Sequence, residues 1–345
     1  MTDIKSLYKE ELEAFITENG FPKFRAVQIY GWLNKGVKSF DEMRNLPKNL
    51  IEFLSNSCYI SVANIEKKLV SRYDKTVKYL FRLNDGEYIE TVVMSYHHGY
   101  SICVSTQVGC KMGCTFCATG KSGFSRSLTA SEILAQIEAS QDDLGIRISN
   151  VVLMGMGEPL DNYDNVIRFL RLVSSEDGLN IGMRHITLST CGLVPRIYDL
   201  AEQKFALTLS VSLHAPDDET RNKTMPVNRR YPLNELIKAC RYYFDKTGRR
   251  VSFEYAMIDG VNDSDENARA LAGLLNGLNC HINLIPVNSV KGASYKKSSV
   301  ARQQAFIKIL SQRGITATVR RTLGSDINAS CGQLKRNHTE EKGGI

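Results

Sequence analysis

From about residue 101 onward, short β-branched runs alternate with amphipathic helical patterns. That alternation leaves very few folds open to the chain. Strands are predicted at 101–106, 150–155, 184–190, 206–213, 250–258, 281–287 and 315–321, with helices at 129–144, 163–175, 195–203, 232–246, 264–277 and 299–313. Local signals agree with this reading. Thr129-Ala-Ser-Glu132 is a capping box, Pro195 and Pro232 suit first helical turns, and Gly145, Gly248 and Gly314 fall just past helix ends. Six strand–helix units and a closing strand argue for a parallel α/β fold. The count is too small for a closed eight-fold barrel, so a partial (β/α)6 TIM-like barrel is expected, with a doubly wound sheet as the alternative.

The chain changes character twice before this region. Residues 1–57 read as helical: Ile4, Leu7, Tyr8, Leu12, Phe15 and Ile16 share one face, and Phe24, Val27 and Tyr30 keep an i, i+3 stripe. Residues 58–100 read as a small β extension, with Val77–Leu83 and Glu87–Met94 joined by the hairpin signal Asn84-Asp85-Gly86. The expected division is therefore a helical accessory domain (1–57), a β extension (58–100), the barrel (101–335) and a polar tail (336–345).

With 43% apolar and 23% charged residues, the composition is that of an ordinary globular protein and excludes a disordered or fibrous chain. No apolar run is long enough to span a bilayer and the N-terminus lacks a signal-peptide pattern. A cytoplasmic monomer without membrane association is expected, its nine cysteines serving mostly as thiols or ligands. The net charge of +7 is uneven. Residues 1–52 balance eight basic against eight acidic side chains, whereas 221–250 carry nine basic residues against Glu235 and Asp245, and 291–336 carry ten against Asp326 alone. A polyanionic partner and a merely solvated face both account for such a bias.

Cys110-Lys-Met-Gly-Cys114-Thr-Phe-Cys117 carries the sharpest chemistry. Three thiolates in a C-x3-C-x2-C run, directly after the first barrel strand, can hold three irons of a 4Fe-4S cluster and leave the fourth open to a small molecule. Structural zinc normally needs a second cysteine hook, which is missing here, and incidental buried cysteines are usually scattered, as Cys58, Cys191, Cys240 and Cys280 are. Other polar motifs recur at predicted strand ends: Gly155-Met156-Gly157-Glu158-Pro159, Ser189, Ser212-Leu213-His214, Asn288 and Cys331. Functional groups of α/β barrels gather at that end. Singly, each has a plainer reading as a turn, a cap or a backbone-bonded histidine. Cys103 alone reads as strand packing, and Glu90 alone as a solvated strand glutamate.

The cysteine run resembles that of the radical S-adenosylmethionine (SAM) superfamily. CVSTQVGCKMGCTFCATG, MGMGEPLDN, LSTCGLVP, SVSLHAP, NLIPVN and DINASCGQL together closely resemble the RlmN and Cfr family of RNA adenine methyltransferases, over about residues 20–335. The resemblance implies a cluster on Cys110, Cys114 and Cys117. It implies SAM contacts from Gly157 and Glu158 at the amino group, and from Ser189, Ser212, Leu213, His214 and Asn288 elsewhere. It further implies that one SAM methylates Cys331 and that a second, bound at the open iron, is cleaved to a radical that activates this methyl group. The carbon then adds to adenine, Glu90 serves as base, and Cys103 attacks the Cys331 sulfur, releasing the product and leaving a disulfide. A low-potential donor such as flavodoxin or ferredoxin would supply electrons. Pro159 and Pro286 resemble the RlmN branch, which methylates carbon 2 of adenine in large-subunit (23S) ribosomal RNA and also transfer RNA; the alternative is Cfr-like methylation of carbon 8. The target base would have to leave its stack to react.

Overall fold

The computed structural model describes residues 1–287, 295–327, 329 and 334. Three helices, α1 (Lys9–Glu18), α2 (Phe24–Asn34) and α3 (Lys48–Ser57), build the N-terminal unit. Its ends meet where β1 (Thr2–Asp3) pairs in parallel with β2 (Cys58–Tyr59). A separate apolar cluster, including Ile4, Leu12, Ile16, Ile29, Leu33, Leu50 and Leu54, fills it. On α2 the inward stripe is Ala26, Ile29 and Leu33. The expected stripe of Phe24, Val27 and Tyr30 is split instead: Phe24 and Val27 are exposed, while Tyr30 packs half-buried against the cluster. The two stripes overlap in spacing. The one containing Ala26 presents less bulk, so α1 and α2 can approach closely.

The unit is joined to the rest of the chain by polar contacts. Asp3 accepts from Ser131 Oγ, Ser6 Oγ accepts from the Ser131 N–H, and Arg168 pairs with Glu11.

Strands β3 (Asn64–Val70), β4 (Val77–Arg82) and β5 (Tyr88–Tyr96) form an antiparallel meander that runs straight into β6 (Gly99–Cys103). The β4–β5 turn is the expected hairpin: Gly86 takes φ +87° and Leu83 N–H donates to Glu87 O. After β6 come the short β7 (Gln107–Gly109), α4 (Ala118–Lys121), β8 (Phe124–Ser127) and α5 (Ala130–Leu144). Then follow β9 (Ile148–Leu153), α6 (Tyr163–Ser174), β10 (Ile186–Thr190), α7 (Val194–Glu202), β11 (Thr208–Ser212), α8 (Asp218–Thr224) and α9 (Leu233–Thr247). The chain continues through β12 (Val251–Met257), α10 (Asp265–Leu274), β13 (Cys280–Pro286), α11 (Val300–Gln312) and β14 (Thr316–Val319).

Ten strands make one sheet in the order β14-β13-β12-β11-β10-β9-β6-β5-β4-β3. From β6 to β14 every neighbouring pair is parallel. The sheet ends at β14 on one side and at β3 on the other, so this is the expected partial barrel, not a closed one. Strands and helices fall within a few residues of their predicted bounds. The Thr129 cap is made, with Glu132 returning the bond to the Thr129 N–H, and α5 stops at Gly145 in a left-handed conformation. Pro195 sits in the first turn of α7, whereas Pro232 is the residue that precedes α9. The short elements β7, β8, α4 and α8 carry no period long enough to be read in sequence. Among the described residues no helix is long and apolar enough to cross a membrane.

Candidate active site

The cysteine loop is held at its neck by pairing of β7 with β8. Cys110 N–H donates to Gly123 O at 2.8 Å. Gly109 takes φ +83°, and a Cβ there would lie 2.0 Å from Gly123 O, so only glycine allows this closure. Further on, Thr115 N–H donates to Thr224 O and Cys117 N–H to Cys114 O. Cys110, Cys114 and Cys117 all line one cavity of about 310 Å³ at the C-terminal ends of the barrel strands. Burial pushes the Cys110 thiol up to about 12 and the Cys114 thiol up further.

The strand ends supply further lining. Gly157, Glu158, Ser189, Ser212 and His214 all reach the cavity. The Gly155–Gly157 turn packs on the chain after β6: Met156 O accepts from the Thr106 and Gln107 N–H groups, and a Cβ on Gly157 would meet Gln107 at 2.6 Å. Glu158 is buried, accepts from Leu160 N–H at 3.0 Å and Cys191 N–H at 2.7 Å, and has its carboxyl pushed up by burial. His214 stands at φ +57°. Its Nδ1 accepts from Ala256 N–H at 2.9 Å, its ring meets Phe116 edge-on, and burial lowers its pKa to about 3. It is therefore a neutral imidazole whose remaining N–H is on Nε2. The plain reading, a strand-end histidine bonded to backbone, and a place on the cavity wall are both realised. Leu213 is fully buried, with its N–H on Glu254 O and its carbonyl on Arg221. Asn288 and Cys331 lie outside the described residues.

Among the described residues, the basic side chains of segments 221–250 and 291–336 are divided between the interior and separate parts of the surface. Arg221 is fully buried. It donates to Leu213 O, Ser212 O and Cys191 O and to Asn228 Oδ1, tying the ends of β10 and β11 together. Arg241, Arg249 and Arg250 sit at the N-terminal end of the strands, where Arg249 donates to Leu207 O and Arg241 to Asn276 O. Arg302 is bonded to Asp263 and Asp265. Arg229 and Arg230 remain exposed at the mouth end. Arg221→Met should cost about 3 kcal/mol or more, because it strands several buried acceptors at once. Chemical denaturation of purified protein checks this, and a loss below 1 kcal/mol contradicts it.

Glu90 corrects another expectation. It is not a solvated strand residue: it is 1% exposed and pairs at 2.9 Å with Lys78, which is equally buried. Thr91, on the other face of β5, bonds Gln136 of α5. Glu90 therefore points away from the helix layer, into the barrel. Cys103 ends β6 beside it, partly exposed, its thiol pushed up by burial and pulled down by Arg320. The sequence reading also missed Glu254 and Arg320 on the cavity wall. Glu254 accepts from Ser210 Oγ and Asn283 Nδ2 and lies 3.7 Å from Arg320. An acid inside the apolar strand VSFEYAM was the available signal. Arg221, in the polar run DETRNKT, had none.

Family comparisons match this geometry. The "Radical SAM superfamily" model covers residues 104–272, and the "Ribosomal RNA large subunit methyltransferase N-terminal domain" model covers residues 2–60. A "Probable dual-specificity RNA methyltransferase RlmN" from Alkaliphilus oremlandii is 56% identical over 98% of this chain and 98% of its own length. The chain belongs to the RlmN family. A second RlmN relative, from Clostridium acetobutylicum, is 52% identical over 100% of both chains. The crystal structure of a radical SAM methyltransferase from Sphaerobacter thermophilus, 47% identical, superposes with a TM-score of 0.91 over 96% of this chain and 99% of that one.

Radical SAM enzymes, RlmN proteins among them, use a 4Fe-4S cluster and SAM, and the residues present fit both groups. Three sulfur donors share one cavity, and burial keeps the Cys110 and Cys114 thiols neutral unless a metal draws off the protons. Among the described residues no three His, Cys, Asp or Glu side chains converge tightly enough to hold a single metal ion. Three thiols from one loop that line the same cavity suit a cluster, in which each binds a different iron. In the same cavity, the buried Glu158 carboxyl suits a cationic amino group, which would favour its ionised form.

Proposed function

We propose that this chain methylates carbon 2 of a specific adenine in large-subunit (23S) ribosomal RNA, and of an adenine in transfer RNA as well. One observation carries this reading: three thiols, a buried carboxyl and strand-end hydroxyls converge on a single cavity in a chain whose full-length relatives are named dual-specificity RNA methyltransferases. Pro159 on the cavity wall and Pro286 at the end of β13 favour carbon 2 over carbon 8.

In this reading Cys110, Cys114 and Cys117 hold the cluster. The Gly157 backbone and Glu158 receive the SAM amino group, while Ser189, Ser212, Leu213, His214 and Asn288 form the rest of its site. When bound, the cluster and SAM supply the methyl group and the radical chemistry that a non-nucleophilic ring carbon requires. Cys331 carries the one-carbon unit to the base. Glu90 takes the ring proton at its carboxylate, and the Cys103 sulfur attacks the Cys331 sulfur to free the product, leaving a disulfide for reduction. Residues 1–57 act as an RNA-binding accessory domain, 58–100 as a β extension and 101–335 as the catalytic barrel, with 336–345 as a tail. The exposed Arg229 and Arg230 suit contact with phosphates beside the mouth. A flavodoxin- or ferredoxin-like donor reduces the cluster, and the enzyme works as a cytoplasmic monomer.

Mass spectrometry of ribosomal and transfer RNA from cells with and without the gene tests this. Loss of 2-methyladenosine on deletion is expected. Unchanged RNA, or loss of 8-methyladenosine instead, overturns it.

A further inference from the structure

His214 lines the cavity in a backbone conformation that L side chains rarely adopt, and a fully buried asparagine braces it there. Its φ is +57°, where Cβ crowds the residue's own carbonyl. Three bonds hold it. Its N–H donates to Glu254 O, its ring Nδ1 accepts from Ala256 N–H at 2.9 Å, and its carbonyl accepts from Asn262 Nδ2 at 2.8 Å. Asn262 is 0% exposed. Its other amide hydrogen goes to Ala256 O at 2.7 Å, and its Oδ1 accepts from Ile258 N–H at 2.8 Å. Two carbonyls facing the nitrogen and an N–H facing the oxygen allow one orientation of the carboxamide. The side chain thus ties the His214 carbonyl to the stretch 256–258, whose Ala256 N–H holds the His214 ring.

We propose that Asn262 is a positioning residue for His214: its carboxamide holds the left-handed backbone and keeps Nδ1 on Ala256, so that Nε2–H is the group presented to the cavity. The consequence for SAM rests on the place given above to His214 in the SAM site. A ring held this way offers a neutral donor to an oxygen or a bare nitrogen of the bound molecule. Without the carboxamide, His214 O and Ala256 O each lose a donor and Ile258 N–H loses its acceptor. The His214 backbone is then free to relax to negative φ, which swings Cβ and the ring off Ala256. A freed ring takes either tautomer, and one of the two turns a lone pair on the atom that had accepted its hydrogen bond.

The test is nitrogen NMR of 15N-histidine in the purified full chain at neutral pH, before cluster reconstitution, with the His214 signals identified by their loss in His214→Gln. Wild type should show one bare ring nitrogen, Nδ1, and one protonated, Nε2. Asn262→Ala and Asn262→Asp should draw the two signals together, towards an average of tautomers. The aspartate keeps the acceptor for Ile258 but turns an oxygen on two carbonyls. Tyr255→Phe is the control. It removes the 2.7 Å bond from Tyr255 Oη to Asn262 O, loosening the same turn without removing any bond to His214, and should leave the His214 signals in place. In reconstituted enzyme, His214→Ala and Asn262→Ala should each weaken SAM binding roughly fivefold to tenfold, and the double variant should bind no more weakly than His214→Ala alone. Thermal unfolding is measured alongside, and if Asn262→Ala does not fold, Asn262→Asp decides. A wild-type ring already averaged between tautomers, unmoved signals in folded Asn262 variants, an equal change in Tyr255→Phe, or additive losses in the double variant overturn the proposal. If the NMR changes appear but His214→Ala binds SAM as tightly as wild type, the place of His214 in the SAM site is refuted and the bracing of His214 by Asn262 stands.

Discussion

Cys103→Ala should accumulate a covalent protein–RNA species, whereas Cys331→Ala should form none. Without Cys331 there is no carrier, so no carbon reaches the base. Without Cys103 the carbon still adds, but the bond between the Cys331 sulfur and the transferred carbon is not broken, because exchange at sulfur needs a second thiolate within reach. Cys103 lies in a charged part of the barrel interior. It ends β6, faces the barrel interior with Lys78 and Glu90, and feels Arg320 from the segment that follows β14. The trapped species is checked as a nuclease-sensitive band of reduced mobility in a denaturing gel. If Cys103→Ala turns over normally and traps nothing, Cys103 is only packing.

Serine at Cys110, Cys114 or Cys117 should remove the cluster and abolish SAM cleavage while leaving the fold in place. Anaerobically reconstituted wild-type protein should bind about four irons per chain. A hydroxyl is a far poorer iron ligand than a thiolate, and one lost corner leaves two thiolates for the whole cluster. The loop itself does not depend on metal for its path. The β7–β8 pairing, the Cys110-to-Gly123 bond and the Thr115-to-Thr224 bond are all backbone contacts. Thermal unfolding of the serine variants in metal-free buffer should therefore match wild type. Full iron content in any single serine variant, or stoichiometric zinc without iron in active protein, defeats the assignment.

The two charged groups nearest the proposed chemistry show where sequence reading stops. Glu90 sits in Tyr-Ile-Glu-Thr-Val-Val, where alternation makes a glutamate look solvated. Alternation places a side chain on a face but does not say what covers that face. Here the face on which alternation would leave a polar residue is the interior of a barrel, where Glu90, on a strand flanked by β4 and β6, pairs with the buried Lys78. The basic segments fail for a related reason. Arg221 and Arg250 are near neighbours in composition, yet one is spent on four internal hydrogen-bond acceptors and the other lies at the opposite end of the strands.

By itself, the sequence determined the alternating α/β plan, the element bounds to within a few residues, the cysteine loop and the strand-end motifs. Each depends on periodicity or on spacing within a short stretch, and both are local properties. Only the tertiary structure decided which stripe of α2 faces inward, that the meander of β3–β5 extends the barrel sheet, and that Glu254 and Arg320 join the cavity wall. It also decided that Lys78, Glu90 and Cys103 share one interior face. Those outcomes depend on register and on contacts between residues far apart in the chain, and the hydrophobic pattern of a single strand or helix does not encode them.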